Sequence, residues 1–382
     1  MKMKTGVCFD DVLLIPQYSP IRSRRDIDLL VTIPNSSRKF TLPIISSPMD
    51  TVTESEMVVT MARAGGLGII HRYNSIKEQV EIASTAYDTL YSEDHNGRHA
   101  IAAAIGVTDN YINRATALYD ANVRIFCLDV AHGHHIIMKT ALKELRDIFG
   151  STVHIMAGNV ATVEGFNDLA DWGADSIRVG IGGGSICSTR VQTGHGVPTL
   201  QSVIDCAQSD RDAMLIADGG IRNSGDIVKA LAAGADFVMI GSLLSGTDET
   251  PGDIESEYPL DYYATTMTAT ASAVCAPGLE GGSVVYTDQQ PKLYKKYRGM
   301  ASKEAQVDWR GYPSSIEGVA TRVPLKGPAG NILKELEVGI RSGLSYSGAE
   351  NVRMLQAKAQ FMEQSYSGTS EGSTHILSFS KK

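Results

Sequence analysis

Residues 214–242 read MLIADGGIRNSGDIVKALAAGADFVMIGS, and this stretch indicates the fold. Two short apolar runs, 214–220 and 237–242, flank a segment with helical periodicity at 223–235. Each apolar run ends in small or polar residues, a pattern typical of a buried strand that leads into a loop. The stretch therefore predicts a strand, a crossover helix and a second strand.

The same alternation recurs along most of the chain. Eight apolar runs alternate with helical segments: PIISS (43–47), GIIH (68–71), AIAAAIG (100–106), RIFCLDV (124–130), VHIMAGN (153–159), SIRVG (176–180), MLIADGG (214–220) and FVMIGS (237–242). A further helix is predicted over 53–65, with Thr53 as its N-cap and Gly65 or Gly66 as its stop. Strands that are apolar on both faces indicate a parallel sheet covered by helices.

Eight such units predict a closed (β/α)8 TIM barrel, whose reactive groups lie at the carboxyl ends of the strands. A doubly wound open sheet is the alternative. The absence of GxGxxG after the first strand counts against its dinucleotide-binding form.

Composition excludes several classes of protein. The chain has 382 residues, 43% of them hydrophobic, and a formal net charge of -8. It can bury a full core, and nothing in it resembles the basic stripe that binds nucleic acid. It has no apolar run long enough for a membrane span and no signal-peptide pattern. Five widely spaced cysteines without a CxxC pair indicate a reducing compartment, so we expect a cytoplasmic protein without nucleic-acid or membrane partners.

We expect one catalytic domain over 1–382. Residues 243–326 interrupt the rhythm after the eighth strand and are rich in Gly, Ser, Thr and Tyr, which is typical of a functional lid. Two amphipathic segments follow at 329–343 and 349–364, and the first is expected to close the barrel. The polar tail 365–382 is typical of a disordered chain end.

The ends of the last two predicted strands suggest a nucleotide site. Gly219 and Gly220 follow the seventh strand, and Gly241 and Ser242 follow the eighth, where barrels commonly bind phosphate through backbone amides. Asp218 would repel a phosphate there, so we assign it to a ribose diol. The alternative is that these glycines only form turns.

Polar residues at other strand ends add candidate chemistry. Cys187 lies in the loop after strand 6, among glycine amides and near Arg190, where a thiol can become a nucleophile. Asp129 at the end of strand 4 is placed to bind a sugar hydroxyl. His132, His134 and His135 could suggest a metal site, but no carboxylate or cysteine stands at ligand spacing.

Taken together, the motifs resemble those of the IMP dehydrogenase and GMP reductase family. They occur in family order and run nearly from end to end: FDDVLLIPQYSP, SSPMDTVTESEM, GGLGIIHR, DVAHGHH, MAGNVAT, RVGIGGGSICSTR, IADGGI, GSLLSGTDETPG, KYRGM, EGVATRVPLKG and RSGLSYSGA. The resemblance implies a (β/α)8 barrel, a homotetramer, and redox chemistry at C2 of a purine nucleoside monophosphate with NADPH or NAD.

The resemblance also implies a role for individual residues. Cys187 corresponds to the nucleophile that attacks C2, and Asp129 to the residue that holds the nicotinamide ribose. Thr189 and Glu317 correspond to a pair that can shuttle a proton. The residues implied to bind the nucleotide are Ser47, Met49, Asn159, Arg178, Ser185, Asp218, Gly220, Gly241, Ser242, Tyr297 and Met300.

The family likeness further implies a potassium ion on backbone carbonyls of Gly182, Gly184 and Cys187, completed by a tail segment like SEGSTH of a neighbouring subunit. Dehydrogenases of the family usually carry two CBS modules between the second and third strands. Here only YDTLYSEDHNGRH occupies that interval, so we expect a chain without CBS modules.

Two enzymatic directions and one non-catalytic reading remain open. The dehydrogenases release product with water activated by an Arg-Tyr pair on a flap, whereas sixteen residues separate Met300 from Glu317 here and contain no Arg-Tyr dipeptide. We therefore favour GMP reductase. IMP dehydrogenase is the alternative because several motifs match it and Arg310 lies one glycine from Tyr312, and a nucleotide-binding protein without catalysis is the third reading. The sequence does not distinguish NADPH from NAD, or ribose from deoxyribose. Four interpretations of the long 253–291 link stay open: a lid, a subunit contact, a site for an altered nucleotide and a plain surface insertion.

Overall fold

The computed structural model describes residues 3–34, 38–93, 100–257, 291–314 and 316–372. Three short strands come first along the chain: β1 (Val12–Leu14), β2 (Val31–Thr32) and β3 (Lys39–Phe40). Eight further strands follow: β4 (Ile44–Ser46), β5 (Leu67–Ile70), β6 (Ala102–Ile105), β7 (Ile125–Asp129), β8 (His154–Val160), β9 (Ser176–Val179), β10 (Met214–Asp218) and β11 (Phe237–Ile240). All eight predicted strands are confirmed. β4 to β11 pair in parallel and close into a barrel, as predicted for the (β/α)8 class.

Helices cover the outside of the barrel: α1 (Ser55–Arg63), α2 (Ile76–Glu93), α3 (Tyr111–Asp120), α4 (Ile136–Phe149), α5 (Val163–Asp171), α7 (Thr199–Cys206) and α8 (Ser224–Ala232). The short helix α6 (Thr189–Thr193) buries no residue and lies in the loop after β9. The expected N-cap of α1 is wrong. The Thr53 hydroxyl instead contacts Ser46 Oγ and Ser47 O, both at 2.8 Å, which ties the loop after β4 together. α1 ends at Arg63, just before the positive φ of Gly65.

Two apolar layers hold the barrel. The outer layer lies between strands and helices, and the inner layer fills the barrel with alternate strand residues. The hairpin of β2 and β3, here called the plug, closes the amino end of the barrel. Its Phe40 meets Phe237 edge to face, with ring centroids 5.6 Å apart. Sequence periodicity missed this hairpin because its strands have only two residues each.

The described residues of 243–326 form strands and a helix instead of one long loop. β12 (Glu255–Glu257), β13 (Lys292–Arg298) and β14 (Ala320–Pro324) form an antiparallel sheet. Helix α9 (Lys303–Arg310) lies between β13 and β14. Most of the 253–291 link and Cys275 lie outside the described residues.

The carboxyl-terminal segments are partly as expected. α10 (Ala329–Tyr346) confirms the first predicted helix, and it packs against α8 and α1. The second predicted helix is shorter, because only α11 (Val352–Lys358) is helical and β15 (Phe361–Glu363) pairs with β1 instead. That pairing gives the backbone groups of β1 their partners. A last helix, α12 (Tyr366–Glu371), begins the tail, whose residues 373–382 lie outside the described ranges.

Candidate active site

A cavity of about 480 Å³ opens at the carboxyl ends of the barrel strands. Such a volume suits a nucleotide-sized ligand. Every predicted site residue lines it: Ser47, Met49, Asp129, Asn159, Arg178, Gly182, Gly184, Ser185, Cys187, Thr189, Asp218, Gly220, Gly241, Ser242, Tyr297, Met300 and Glu317. The barrel thus brings together residues that stand up to 270 positions apart in the chain, because parallel strands end on the same face.

The thiol of Cys187 is exposed and has a hydroxyl neighbour. Its Sγ lies 3.1 Å from Thr189 Oγ1. The backbone of the 316–319 segment pairs with the same loop, since the Ser188 amide donates to Glu317 O at 2.8 Å and Cys187 bridges to Gly318. Cys187, Thr189 and Glu317 are therefore held side by side at the mouth of the cavity.

A buried arginine links two carboxylates at the bottom of the cavity. Arg178 Nη1 donates to Asp129 Oδ1 at 2.6 Å, and its Nη2 donates to Asp218 Oδ2 at 2.9 Å. Asn159 Nδ2 donates to the same Asp218 oxygen at 2.8 Å. Burial alone would raise the pKa of Asp129, but Arg178 and Arg72 outweigh it and hold that pKa below the ordinary value. Asp129 is therefore an anion in the neutral range.

Backbone amides and hydroxyls gather at the ends of β9, β10 and β11. We call Ser185, Gly220, Gly241, Ser242 and Tyr297 the phosphate cradle, after the role that the family resemblance implies for them. Ser185 Oγ lies 3.4 Å from the hydroxyl of the buried Tyr297, and burial raises the pKa of that phenol, so it stays protonated. Gly220 has a φ of +79°, a conformation that L side chains rarely adopt.

Gly241 packs closely against the rest of the cradle. A Cβ there would lie 3.1 Å from Met49 Sδ and 3.4 Å from the Tyr297 hydroxyl. Met300 lies beside this group, and its Sδ accepts the amide of Asp50 at 3.4 Å. A side chain at position 241 would therefore crowd the cradle.

The helix α9 and the residues after it, here called the flap (303–314), cover one side of the cavity. Trp309 stacks on Tyr73 with ring centroids 4.3 Å apart, and the guanidinium of Arg72 lies 5.5 Å from the Trp309 ring. Arg298 Nη2 donates to Asp50 Oδ2 at 2.6 Å, and Arg298 also pairs with Asp308 of the flap. These contacts dock the flap onto the barrel.

Sequence reasoning missed Arg72, Tyr73 and Trp309. Arg72 and Tyr73 lie two and three residues after the end of β5, which was the available signal because strand ends face the cavity. A second, open cavity of about 800 Å³ lies on the other side of the stack and is lined by Glu54, Glu78 and Asp308 among others. It holds none of the predicted site residues.

The two members of the suspected water-activating pair are in contact, since the Arg310 guanidinium lies 5.1 Å from the centre of the Tyr312 ring and its Nε donates to Tyr312 O at 3.1 Å, but only Arg310 reaches the cavity. Arg310 lines the cavity and donates to Gln306 Oε1 and Ser314 Oγ. The Tyr312 side chain is 61% exposed and does not line the cavity.

Two of the three histidines after β7 have structural partners. His134 Nε2 pairs with Asp168 Oδ2 at 2.8 Å, and His135 Nδ1 accepts the amide of Ile137 at the start of α4. Within the ranges that the structure describes, no group of three or more His, Cys, Asp or Glu side chains could hold a metal ion. A potassium site would have to use backbone carbonyls. Gly182 and Gly184 line the cavity, and the Gly184 carbonyl already accepts the Cys187 amide at 3.2 Å.

No helix among the described residues combines the length and apolarity that crossing a bilayer requires.

Comparisons with known proteins agree on one family. The model described as "IMP dehydrogenase / GMP reductase domain" matches residues 6–262 and 270–375. An inosine-5'-monophosphate dehydrogenase of Cryptosporidium parvum is 36% identical over 428 residues, covering 99% of this chain and 96% of its own. A GMP reductase of Leishmania major is 30% identical, covering 98% and 97%. A variant GMP reductase of Trypanosoma brucei, solved in complex with guanosine 5'-monophosphate, superposes with a TM-score of 0.82 at 28% identity over 98% of each chain.

Proposed function

The chain belongs to the IMP dehydrogenase / GMP reductase family, and we propose that it is a GMP reductase, which converts GMP to IMP and ammonia with NADPH. As a member of that family, it is an oxidoreductase that acts on a purine nucleoside monophosphate and uses a nicotinamide cofactor. Relatives of both names match over nearly the whole chain. The choice between them therefore depends on the flap.

The orientation of Tyr312 carries the proposal. Hydrolysis of a covalent adduct needs a positioned base, and a missing one costs about 10²- to 10⁴-fold in rate. Tyr312 is 61% exposed and outside the cavity, and Arg310 is occupied with Gln306 and Ser314. This arrangement offers no Arg-Tyr pair to an attacking water, and the proton-shuttling pair Thr189 and Glu317 serves departure of the amine, so we take reduction as the favoured outcome.

The residues at the cavity mouth supply the covalent chemistry. The sulfur of Cys187 adds to C2 of GMP, and the C2 amine leaves as ammonia after it is protonated through Thr189 and Glu317. A reduced nicotinamide, when bound, would supply a hydride to C2 and leave as the oxidised cofactor. The C–S bond then breaks, IMP forms, and Cys187 regains its starting state.

The other residues orient the two ligands. The phosphate cradle would hold the 5'-phosphate, and Asp218, fixed by Arg178 and Asn159, would take the nucleotide ribose. Ser47, Met49 and Met300 would line the base. Asp129 would hold the nicotinamide ribose, because it is anionic and faces the cavity. Potassium on the carbonyls of the 182–187 loop and a homotetramer in the cytoplasm belong to the same proposal.

IMP dehydrogenase is the second candidate, because the guanidinium of Arg310 does line the cavity. Four assays separate the two: GMP and IMP, each with NADPH or NAD, followed by nicotinamide absorbance and by chromatography of the nucleotide product. We expect oxidation of NADPH with GMP and formation of IMP. Formation of xanthosine monophosphate from IMP and NAD, without GMP reduction, would overturn the proposal.

If the dehydrogenase direction holds, Arg310→Ala should stall hydrolysis and trap the Cys187 adduct. If the reductase direction holds, Arg310→Ala should leave no adduct in mass spectra of the intact protein.

A further inference from the structure

The loop after β11 is held from behind by a lysine that does not line the cavity. Lys326 follows β14, and its Nζ donates to Ser242 O at 2.8 Å and to Leu243 O at 3.2 Å. The Lys326 amide also donates to Gly246 O at 2.7 Å. Backbone and side chain thus both clamp the loop that contributes Gly241 and Ser242 to the phosphate cradle.

These contacts determine where the loop amides point. In a trans peptide the C=O and N–H groups point in opposite directions. Because Ser242 O faces Lys326, the Leu243 amide points away from the ammonium. Across the part of the chain that the structure describes, neither the Ser242 nor the Leu243 amide has a protein acceptor. Such donors need a partner, and a bound phosphate at this end of the cavity would provide one.

The charges of the side chains that line the cavity also favour binding of a phosphate by backbone amides. The cationic side chains that line the cavity are Arg72, Arg178 and Arg310. The first two face Asp129, and the third belongs to the flap. A phosphate in the cradle would therefore be bound by amides and hydroxyls, and an ammonium on the carbonyl side of a peptide strengthens its N–H as a donor.

We propose that Lys326 is a positioning residue of the phosphate cradle, which orients and polarises the peptides around Ser242 and Leu243 for the 5'-phosphate of the nucleotide. The inference rests on the proposed nucleotide site. It holds for either direction of reaction, because GMP and IMP carry the same phosphate.

The test compares the affinities for GMP and guanosine, measured by calorimetry on the full chain. Lys326→Met keeps the aliphatic stem and removes the ammonium. We expect it to weaken GMP binding on the order of tenfold and to leave guanosine binding unchanged. Lys326→Arg should retain most of the GMP affinity, because it keeps the charge and the donors.

Lys295 offers a matched control. Its buried Nζ donates to Asp248 O at 2.9 Å and to Thr250 O at 2.6 Å, further along the same segment. Lys295→Met should lower the melting temperature and leave the ratio of GMP to guanosine affinity unchanged.

An unchanged ratio in Lys326→Met, or an equal fall of the ratio in Lys295→Met, would overturn the inference. If Lys326→Met does not fold, the ratio in Lys326→Gln decides. Failure of the proposed GMP reductase activity is detected separately, because the wild-type protein would then bind GMP without reducing it.

Discussion

At the scale of single residues, burial separates the cysteines. Cys187 and Cys8 are exposed, whereas Cys127 and Cys206 are buried. Burial raises the pKa of Cys127 to about 11 and that of Cys206 to about 12. A thiol is neutral below its pKa, so these two stay unreactive until the solution is strongly alkaline.

We therefore expect iodoacetamide at mildly alkaline pH to label Cys187 and to leave Cys127 and Cys206 unlabelled. Cys8 should be labelled slowly, because partial burial and the neighbouring Asp11 raise the pKa of its thiol. GMP should protect Cys187 only, because Cys8 does not line the cavity. Peptide mass spectrometry measures the labelling. Cys187→Ala should abolish turnover and Cys8→Ser should not. Full turnover in Cys187→Ala would contradict the covalent mechanism.

Gly241 gives a second prediction at this scale. An added Cβ would press on Met49, Ser47 and Tyr297 at 3.1 to 3.4 Å, so the cradle must shift by a few tenths of an ångström. We expect Gly241→Ala to raise the KM for GMP about tenfold, since a misplaced hydrogen bond to a charged group loses about 1.5 kcal/mol. Gly330→Ala is the control, because nothing lies near that position. Equal KM values in the two variants would argue against a tight cradle at 241.

At the scale of elements, an aromatic stack helps to dock the flap, beside the ion pairs of Arg298. The stack of Trp309 on Tyr73, with Arg72 beside both rings, is the kind of contact that contributes about 2 kcal/mol in total. The periodicity of apolar residues in the sequence does not reveal such a contact, because its partners lie on elements that are far apart in the chain. The helical period of 303–310 was also missed within a segment that is rich in turn-forming residues.

We expect Trp309→Ala to lower kcat/KM about tenfold and to leave GMP affinity unchanged, because the flap would lose its docking contact while the cradle stays intact. Trp309→Phe should recover most of the activity. Trp172→Ala is the control, since Trp172 follows α5 and does not line the cavity. Steady-state kinetics at varied cofactor concentration measure kcat/KM. An unchanged kcat/KM in Trp309→Ala would show that the stack does not contribute to catalysis.

At the scale of the whole molecule, stability and function occupy opposite ends of the barrel. The hairpin of β2 and β3 fills the amino end, where Phe40 meets Phe237, and the cavity opens at the carboxyl end. A substitution at the plug should therefore affect folding without affecting the site.

We expect Phe40→Ala to lower the free energy of unfolding by about 3–5 kcal/mol, the cost of an emptied aromatic site, while the KM for GMP stays the same. Urea unfolding measures the free energy of unfolding, and steady-state kinetics on the same preparation measure the KM for GMP. Lys39→Ala, an exposed neighbour on the same hairpin, should change neither quantity. A large KM change in Phe40→Ala would show that the plug and the site are coupled.

The sequence by itself determined the barrel and the composition of the cavity. Its apolar runs had to be buried on both faces, and their last residues had to meet on one face, so Asp129, Asp218 and Cys187 could be brought together from periodicity and the family resemblance.

Only the tertiary structure decided which side chains pair. That Arg178 bridges Asp129 and Asp218, that Tyr312 turns away from the cavity, that Trp309 docks on Tyr73 and that Lys326 clamps Ser242 all depend on distances between elements remote in sequence. Periodicity records which face of one element is buried. It carries no information about which residue of another element lies opposite.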